Sequence, residues 1–72
     1  MPHDHLRQLA INLSSTREAA GYSQVDLSRL SGVDLKHINR IELAKRDPST
    51  HTLLRLARAL GTTPSDLLRD IE

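Results

Sequence analysis

The chain has 72 residues, a formal net charge of +1 and no cysteine. This length allows one small domain, and the lack of cysteine excludes disulfides and thiolate metal sites as sources of its stability. Tyr22 is the only Phe, Tyr or Trp residue, which argues against single-stranded nucleic acid bound by base stacking and leaves aliphatic residues to form the core.

The first predicted element is a helix that follows a loose terminus at residues 1–3. It begins near Asp4, a candidate N-cap, and runs to about Ala20, with Gly21 ending it in a left-handed conformation. One stripe of this helix carries Leu6, Leu9, Ala10, Leu13, Arg17 and Ala20. Arg17 is a cation on an otherwise apolar stripe, so it either has a partner there or extends to water.

A second helix is predicted between Ser23, its N-cap, and a tight break at residues 31–33. Its apolar residues Val25, Leu27 and Leu30 recur at helical spacing. A steep connection of three or four residues needs one residue that tolerates a positive φ, and Gly32 supplies it. Ser28 is small enough to let the next helix approach closely.

The third predicted helix runs from Leu35 to about Leu43, with Asp34 as its cap. Ile38 and Ile41 are three residues apart and therefore share one face. The other faces carry an amide, two cations and an imidazole, which is typical of a helix that contacts a partner.

Two further helices complete the chain. Pro48 ends a loop, and Ser49 or Thr50 caps a fourth helix through Leu60, with Gly61 after it. The inner stripe of this helix is Leu53, Leu56, Ala57 and Leu60. Residues 63–66 place a cap, a proline and an acid at the start of a fifth helix, whose apolar residues are Leu67, Leu68 and Ile71. The sequence therefore predicts an all-α fold, a compact five-helix bundle formed as a single domain over residues 1–72.

A set of spaced residues matches one known family. The matching residues are Ser23-Gln24, Leu27-Ser28, Ser31-Gly32-Val33, Ile38, Ile41-Glu42, Pro48-Ser49, Leu56-Ala57, Leu60-Gly61 and Pro64. On these residues the segment from Arg17 to Leu68 resembles the Cro/C1-type (XRE family) helix-turn-helix domain of bacterial and phage regulators. The resemblance implies a lambda-repressor-like fold with a helix-turn-helix at about residues 24–43, and an ion pair between Arg17 and Glu42.

The sequence departs from the family pattern after the third helix. Many relatives have Gly or Asn at its end, whereas this chain has Leu43-Ala44. Because alanine in the left-handed region costs about 1 kcal/mol, we expect the helix to run one or two residues longer.

The resemblance also implies the function, which is sequence-specific binding of double-stranded DNA by a transcriptional regulator. Recognition helices contact base edges mainly with their N-terminal residues, so the predicted base contacts are Leu35, Lys36 and Arg40. Lysine and arginine suit the O6 and N7 acceptors of guanine, and leucine suits the methyl group of thymine. For each residue alone, a solvated surface side chain is an equally good interpretation.

Contacts to phosphate fix the register of a protein on DNA. The candidates are Gln24, His37, Asn39, Lys45, Arg46, His51 and Thr52, and Gln24 is a phosphate contact in the resembled family. Residues 36–51 carry four Lys or Arg residues against two carboxylates, although the net charge of the chain is small. Lys45 and Arg46 beside Pro48 fit a plain solvated turn equally well.

Proteins with this fold usually bind a two-fold operator as dimers. A five-helix core does not need the apolar side chains of Leu54, Leu68 and Ile71. We therefore expect these residues to form the interface of a homodimer. Scattered surface leucines are the simpler alternative.

Other classes of function have less support. The sequence has no convincing pair of carboxylates, no nucleophile with a matching base and no phosphate-binding glycine loop. It therefore does not indicate an enzyme, a cofactor or a small-molecule ligand. His3 and His5 lie in the expected loose terminus, and Pro2 removes an amide that an N-terminal copper site would need. No signal peptide or membrane span is recognisable, so we expect a cytoplasmic protein without a membrane partner. The main alternative is a protein-interaction module, such as an antitoxin or adaptor, that has this fold without reading DNA.

Overall fold

The structure is a computed structural model that describes residues 4–71, without the side chain of Asp4. The expected loose terminus at residues 1–3 and the capping role of the Asp4 side chain therefore lie outside the described residues. His5, also expected in that terminus, lies instead in the first helix, where its Nε2 is 3.2 Å from Asp47 Oδ2. Residues 4–71 form the helices α1 (Asp4–Ala19), α2 (Gln24–Ser31), α3 (Leu35–Glu42), α4 (Thr50–Ala59) and α5 (Pro64–Leu67), with no strand among them. The predicted all-α architecture with five helices is confirmed.

One hydrophobic core joins the five helices. Its buried members are Leu9, Leu13, Leu27, Val33, Ile38, Ile41, Leu53, Leu56, Ala57 and Leu67. Helix α3 contacts both α1 and α2, α4 contacts α2 and α5, and α5 contacts α1. This arrangement holds α3 against two other helices while one of its faces remains in contact with solvent.

Two apolar residues of α2 do not enter the core. Leu27 is fully buried, whereas Val25 and Leu30 are more than half exposed. Val25 lies two residues before Leu27, and residues two apart do not share a helix face. Leu30 lines a surface depression together with Arg55 and Arg58 of α4. Ala20, the last member of the apolar stripe predicted for the first helix, is likewise exposed and lies one residue beyond the end of α1.

The predicted extent of the fifth helix is wrong. Helix α5 ends at Leu67, so Leu68 and Ile71 lie in the turn that follows, where Asp70 has a φ of 65°. The cause is Asn12, a buried amide on α1 whose Nδ2 donates to the carbonyl oxygens of Leu67 at 3.0 Å and Arg69 at 2.9 Å. These bonds satisfy carbonyls at the end of the helix and fix the turn against α1.

The described helices include none that combines the length and the apolarity needed to cross a membrane.

Candidate nucleic-acid interface

The start of α2 and the turn after it are fixed by local hydrogen bonds. Ser23 and Asp26 form the reciprocal capping box: Ser23 Oγ accepts from the amide of Asp26, and Asp26 Oδ2 accepts from the amide of Ser23. Gly32 ends the helix with a φ of 74°. Ser28 Oγ donates to the carbonyl of Val33 at 2.6 Å, so Ser28 also joins α2 to the turn through a hydrogen bond.

The third helix begins as predicted and ends within one residue of the predicted Leu43, but the expected extension by one or two residues is wrong. The side chain of Asp34 accepts from the amide of Lys36 at 3.1 Å, which caps the N-terminus of α3. The helix ends at Glu42, because Ala44 adopts the left-handed conformation at φ 59°. The amide of Lys45 donates to the carbonyl of Arg40, and that of Ala44 to the carbonyl of Ile41. These two bonds form a Schellman motif, so satisfied carbonyls offset the strain at a position where glycine is usual.

Arg17 of α1 and Glu42 at the end of α3 form the ion pair that the resemblance implies. Arg17 Nε donates to Glu42 Oε2 at 2.8 Å, and Nη2 donates to Oε1 at 3.0 Å. Nη1 of Arg17 donates to the carbonyl of Tyr22 at 2.7 Å. The two side chains are only 13% and 6% exposed, so a bidentate pair with little access to water fixes the end of α3 to α1.

The ion pair also sets the protonation of both groups. The hydrogen bond to Glu42 raises the pKa of the Arg17 guanidinium above its ordinary value. Burial alone would raise the pKa of the Glu42 carboxyl, but hydrogen bonds from Arg17 and Gln24 and the charge of Arg17 outweigh it. The pKa of Glu42 therefore lies below its ordinary value, and the carboxylate is charged at neutral pH.

A chain of amides connects this ion pair to the exposed surface. Gln24 Nε2 donates to Glu42 Oε1 at 3.0 Å, and Asn39 Nδ2 donates to Gln24 Oε1 at 3.3 Å. Of two predicted phosphate contacts, Gln24 is thus held directly by the carboxylate that receives Arg17, and Asn39 is held through Gln24. Their positions depend on the ion pair.

Seven of the predicted DNA-contacting residues lie together on one surface, which we call the α3 surface. One shallow groove is lined by Gln24, Leu35, Lys36 and Asn39, together with Ser23 and Val25. A second depression is lined by Lys36, His37, Arg40 and Arg46, together with Asp34. Lys36 lines both, so the two depressions adjoin at this side chain. Leu35, Lys36 and Arg40 are exposed, and no other element of the described chain covers them.

The remaining candidates differ in how free their side chains are. Lys45 and His51 are exposed but line neither depression. The hydroxyl of Thr52 accepts from Ser49 Oγ at 3.1 Å, next to the Ser49 cap of α4, so this side chain belongs to the helix start. His37 is half-buried, and its Nε2 is enclosed with no hydrogen-bond partner among the described residues. A phosphate contact from His37 would therefore need its other ring nitrogen.

The predicted dimer residues are not equally free. Leu68 is exposed and Leu54 is half-buried. Ile71 is also half-buried and packs against the core of its own chain, so only its uncovered part is available to a dimer interface.

The profile of the HTH_3 helix-turn-helix family matches residues 13–67. The chain belongs to this family. The resemblance to Cro/C1-type (XRE family) domains is thereby confirmed, and the chain is a helix-turn-helix domain of this class.

Several relatives resemble this HTH_3 domain. An uncharacterized HTH-type transcriptional regulator of Haemophilus influenzae is 43% identical over 53 residues, which cover 74% of this chain and 54% of that protein. This chain therefore spans about half the length of that relative. The control protein C.SmaI of Serratia marcescens is 37% identical over 60 residues, 83% of this chain and 71% of that protein.

Solved structures agree with the fold. The restriction-modification controller protein C.AhdI of Aeromonas hydrophila has a TM-score of 0.83 at 35% identity and covers 86% of this chain and 94% of that one. The hypothetical transcription factor NHTF from Neisseria has a TM-score of 0.85 at 29% identity over 90% of this chain and 75% of that one. The lambda-repressor-like arrangement with α2 and α3 as the helix-turn-helix is therefore confirmed.

Val25 lines the α3 surface but was not predicted to do so. In the sequence it belongs to the apolar pattern of α2 together with Leu27. The signal that distinguishes them is their spacing, because two residues on a helix place Val25 about 200° away from the core residue Leu27.

Proposed function

We propose that this HTH_3 domain binds double-stranded DNA sequence-specifically, with α3 in the major groove. The observation that carries the proposal is the α3 surface, on which Lys36 and Arg40 are exposed and Lys36 joins the two depressions. The opposite face of α3 buries Ile38 and Ile41, and the Schellman end and the Arg17–Glu42 pair fix the helix. A rigid helix that presents Lys36 in its first turn and Arg40 one turn later is suited to major-groove contacts.

Base and phosphate contacts are assigned from position on this surface. Lys36 and Arg40 would donate to guanine O6 and N7, and Leu35 would pack on a thymine methyl group. Phosphate contacts would come from Gln24, Asn39, Lys45, Arg46 and His51, with weaker support for His37 and Thr52, whose side chains are partly enclosed or engaged in a cap. The amide chain that holds Gln24 and Asn39 keeps these two donors near the start of α2.

The protein would act as a homodimer on a two-fold operator. One α3 helix reaches only a few base pairs, and a second copy doubles the site. The exposed Leu68 and the half-buried Leu54 support an interface on the side of α4 and α5, with Ile71 contributing its uncovered part. Such a regulator needs no cofactor or catalysis and would work in the cytoplasm with its DNA.

The likeness to the restriction-modification controller covers most of both chains, so control of a restriction-modification operon is the setting to test first. Transcripts of restriction and methyltransferase genes near the coding sequence should change when the protein is removed.

The direct experiment is selection of bound duplexes from a randomised pool by the full chain at moderate salt. DNA-specific binding predicts enrichment of one sequence with two-fold symmetry. A pool that stays random after repeated rounds would favour the protein-interaction alternative.

A further inference from the structure

The groove between the start of α2 and the start of α3 is lined mainly by apolar surface. Its apolar walls are Val25 from α2 and Leu35 from α3, and its polar rim is made by Ser23, Gln24, Lys36 and Asn39. Val25 is 57% exposed and Leu35 is 41% exposed. Because these two exposed aliphatic side chains line one groove, they form a shared apolar surface, unlike isolated surface residues.

The polar rim of this groove is held in place. Asn39 donates to Gln24, Gln24 donates to Glu42, and Glu42 is paired with Arg17. The capping box at Ser23 and Asp26 fixes the first turn of α2, which carries Val25. The two aliphatic walls are therefore presented by helix starts whose backbones are both capped, and a small apolar group could enter without rearrangement.

We infer that Val25 and Leu35 together form a seat for the C5-methyl group of a pyrimidine in the major groove. The inference rests on the proposed function and deepens it by naming what the groove recognises. Neither wall offers a hydrogen bond, and the apolar feature that the major groove presents is the methyl group at C5 of thymine. A cytosine methylated at C5 presents the same group at the same ring position.

Duplex DNA is the occupant because the groove adjoins a depression lined by three cations and one carboxylate, that of Asp34. Lys36 lines both, and Arg40 and Arg46 lie in the depression beside it. An apolar peptide would gain nothing from these cations, whereas a duplex places phosphates and methyl groups within a few ångströms of each other. The seat would make binding sensitive to the methylation state of a pyrimidine in the operator.

The test begins with the duplex enriched from the randomised pool, bound by the full chain. Each thymine is replaced in turn by deoxyuridine, which removes only the methyl group. At one position in each half-site we expect affinity to fall by about fourfold, the value of one buried CH₂ group, and elsewhere to stay unchanged. If the duplex is bound specifically but no thymine in it is sensitive to deoxyuridine, the seat is wrong while the proposed function stands. If no duplex is enriched, the proposed function fails and the inference fails with it.

A second arm distinguishes the two sources of the methyl group. Cytosine and 5-methylcytosine, each opposite guanine, are placed at the sensitive position. A gain from cytosine to 5-methylcytosine supports a seat that accepts the methyl group from either base. A deoxyuridine effect without that gain supports a seat for thymine alone.

Variants then assign the seat to its walls. In Val25→Ala and Leu35→Ala the ratio of affinities for thymine and deoxyuridine at the sensitive position should approach one. Leu30→Ala is the matched control, since Leu30 is also an exposed aliphatic residue of α2 but lines a different depression. Thermal melts confirm that the variants are folded. A Val25→Ala protein that keeps the full ratio overturns the two-walled seat.

Discussion

Glu42 Oε1 accepts hydrogen bonds from both Arg17 Nη2 and Gln24 Nε2, each at 3.0 Å. The same carboxylate oxygen therefore joins the internal ion pair to a residue of the proposed DNA-binding surface. Because Asn39 donates to Gln24 in turn, loss of this carboxylate should affect both the stability of the fold and the positions of two phosphate donors.

Replacing Arg17 by alanine should lower the free energy of unfolding by about 3–5 kcal/mol. The reason is that Glu42, only 6% exposed, would be left as a buried charge without its partner. Urea denaturation followed by circular dichroism measures the change. Glu18→Ala is the matched control, because it removes an exposed charge from the same helix and should change stability by less than about 0.5 kcal/mol. An Arg17→Ala protein as stable as the control would show that the pair contributes little.

Acid should destabilise the protein partly through Glu42. Its pKa is lower in the folded chain than its ordinary value of 4.5, so the unfolded chain takes up the proton first as the pH falls. The stability that Glu42 contributes is complete above the unfolded value and is lost as the pH falls through the lower folded value. Stability measured against pH should therefore decline less steeply below about pH 4.5 in Glu42→Gln than in the wild type.

Asp26 and Asp66 also have lowered pKa values, through hydrogen bonds from Ser23 and from Thr62 respectively, and both remain in the Glu42→Gln variant. The difference between the two curves thus isolates Glu42. Parallel curves for wild type and variant would contradict the assignment.

Replacing Ala44 by glycine should stabilise the protein by about 0.5–1 kcal/mol. Ala44 has a φ of 59° at the end of α3, and glycine adopts this conformation without steric strain. The greater conformational entropy of glycine in the unfolded chain offsets part of this gain. Gly21→Ala is the reverse control, since that residue ends α1 at a φ of 80° with nothing within 4 Å of an added Cβ atom. The Gly21→Ala substitution should lower the free energy of unfolding by a similar amount. If Ala44→Gly and Gly21→Ala changed stability in the same direction, the explanation would be refuted.

Leu68→Glu should convert a homodimer into a monomer and weaken operator binding. A charge placed in an apolar interface between two copies would be buried without a partner. Sedimentation equilibrium gives the mass directly. Ile11→Glu alters an exposed aliphatic residue on α1, away from the proposed interface, and should leave the mass unchanged. A wild-type protein that is monomeric at all accessible concentrations would exclude this interface.

Helix positions were largely predictable from sequence because caps and apolar spacing are local signals. Ser23, Asp34 and Ser49 cap the helices that follow them, and Ile38 and Ile41 are buried on one face of α3. The exposed cations of the α3 surface follow from the same periodicity.

The errors arose where hydrogen bonds or packing that the apolar spacing and caps do not reveal decide the outcome. The end of α5 is set by Asn12, which lies 55 residues away from Leu67 and appears in sequence as an ordinary polar residue of α1. The end of α3 depends on a Schellman motif that satisfies carbonyls although Ala44 disfavours the conformation. The enclosed Nε2 of His37 is likewise a result of packing that the sequence pattern does not show.

The most direct test of the account compares Lys36→Ala, Arg40→Ala and Lys45→Ala for binding to the selected duplex and to a random duplex over a range of salt. If α3 reads bases, Lys36→Ala and Arg40→Ala should each lose about 1–3 kcal/mol on the selected duplex and much less on the random one. Lys45→Ala should weaken both alike and reduce the salt slope by about one. Equal losses on both duplexes for Lys36→Ala and Arg40→Ala, or no loss at all, would contradict the account.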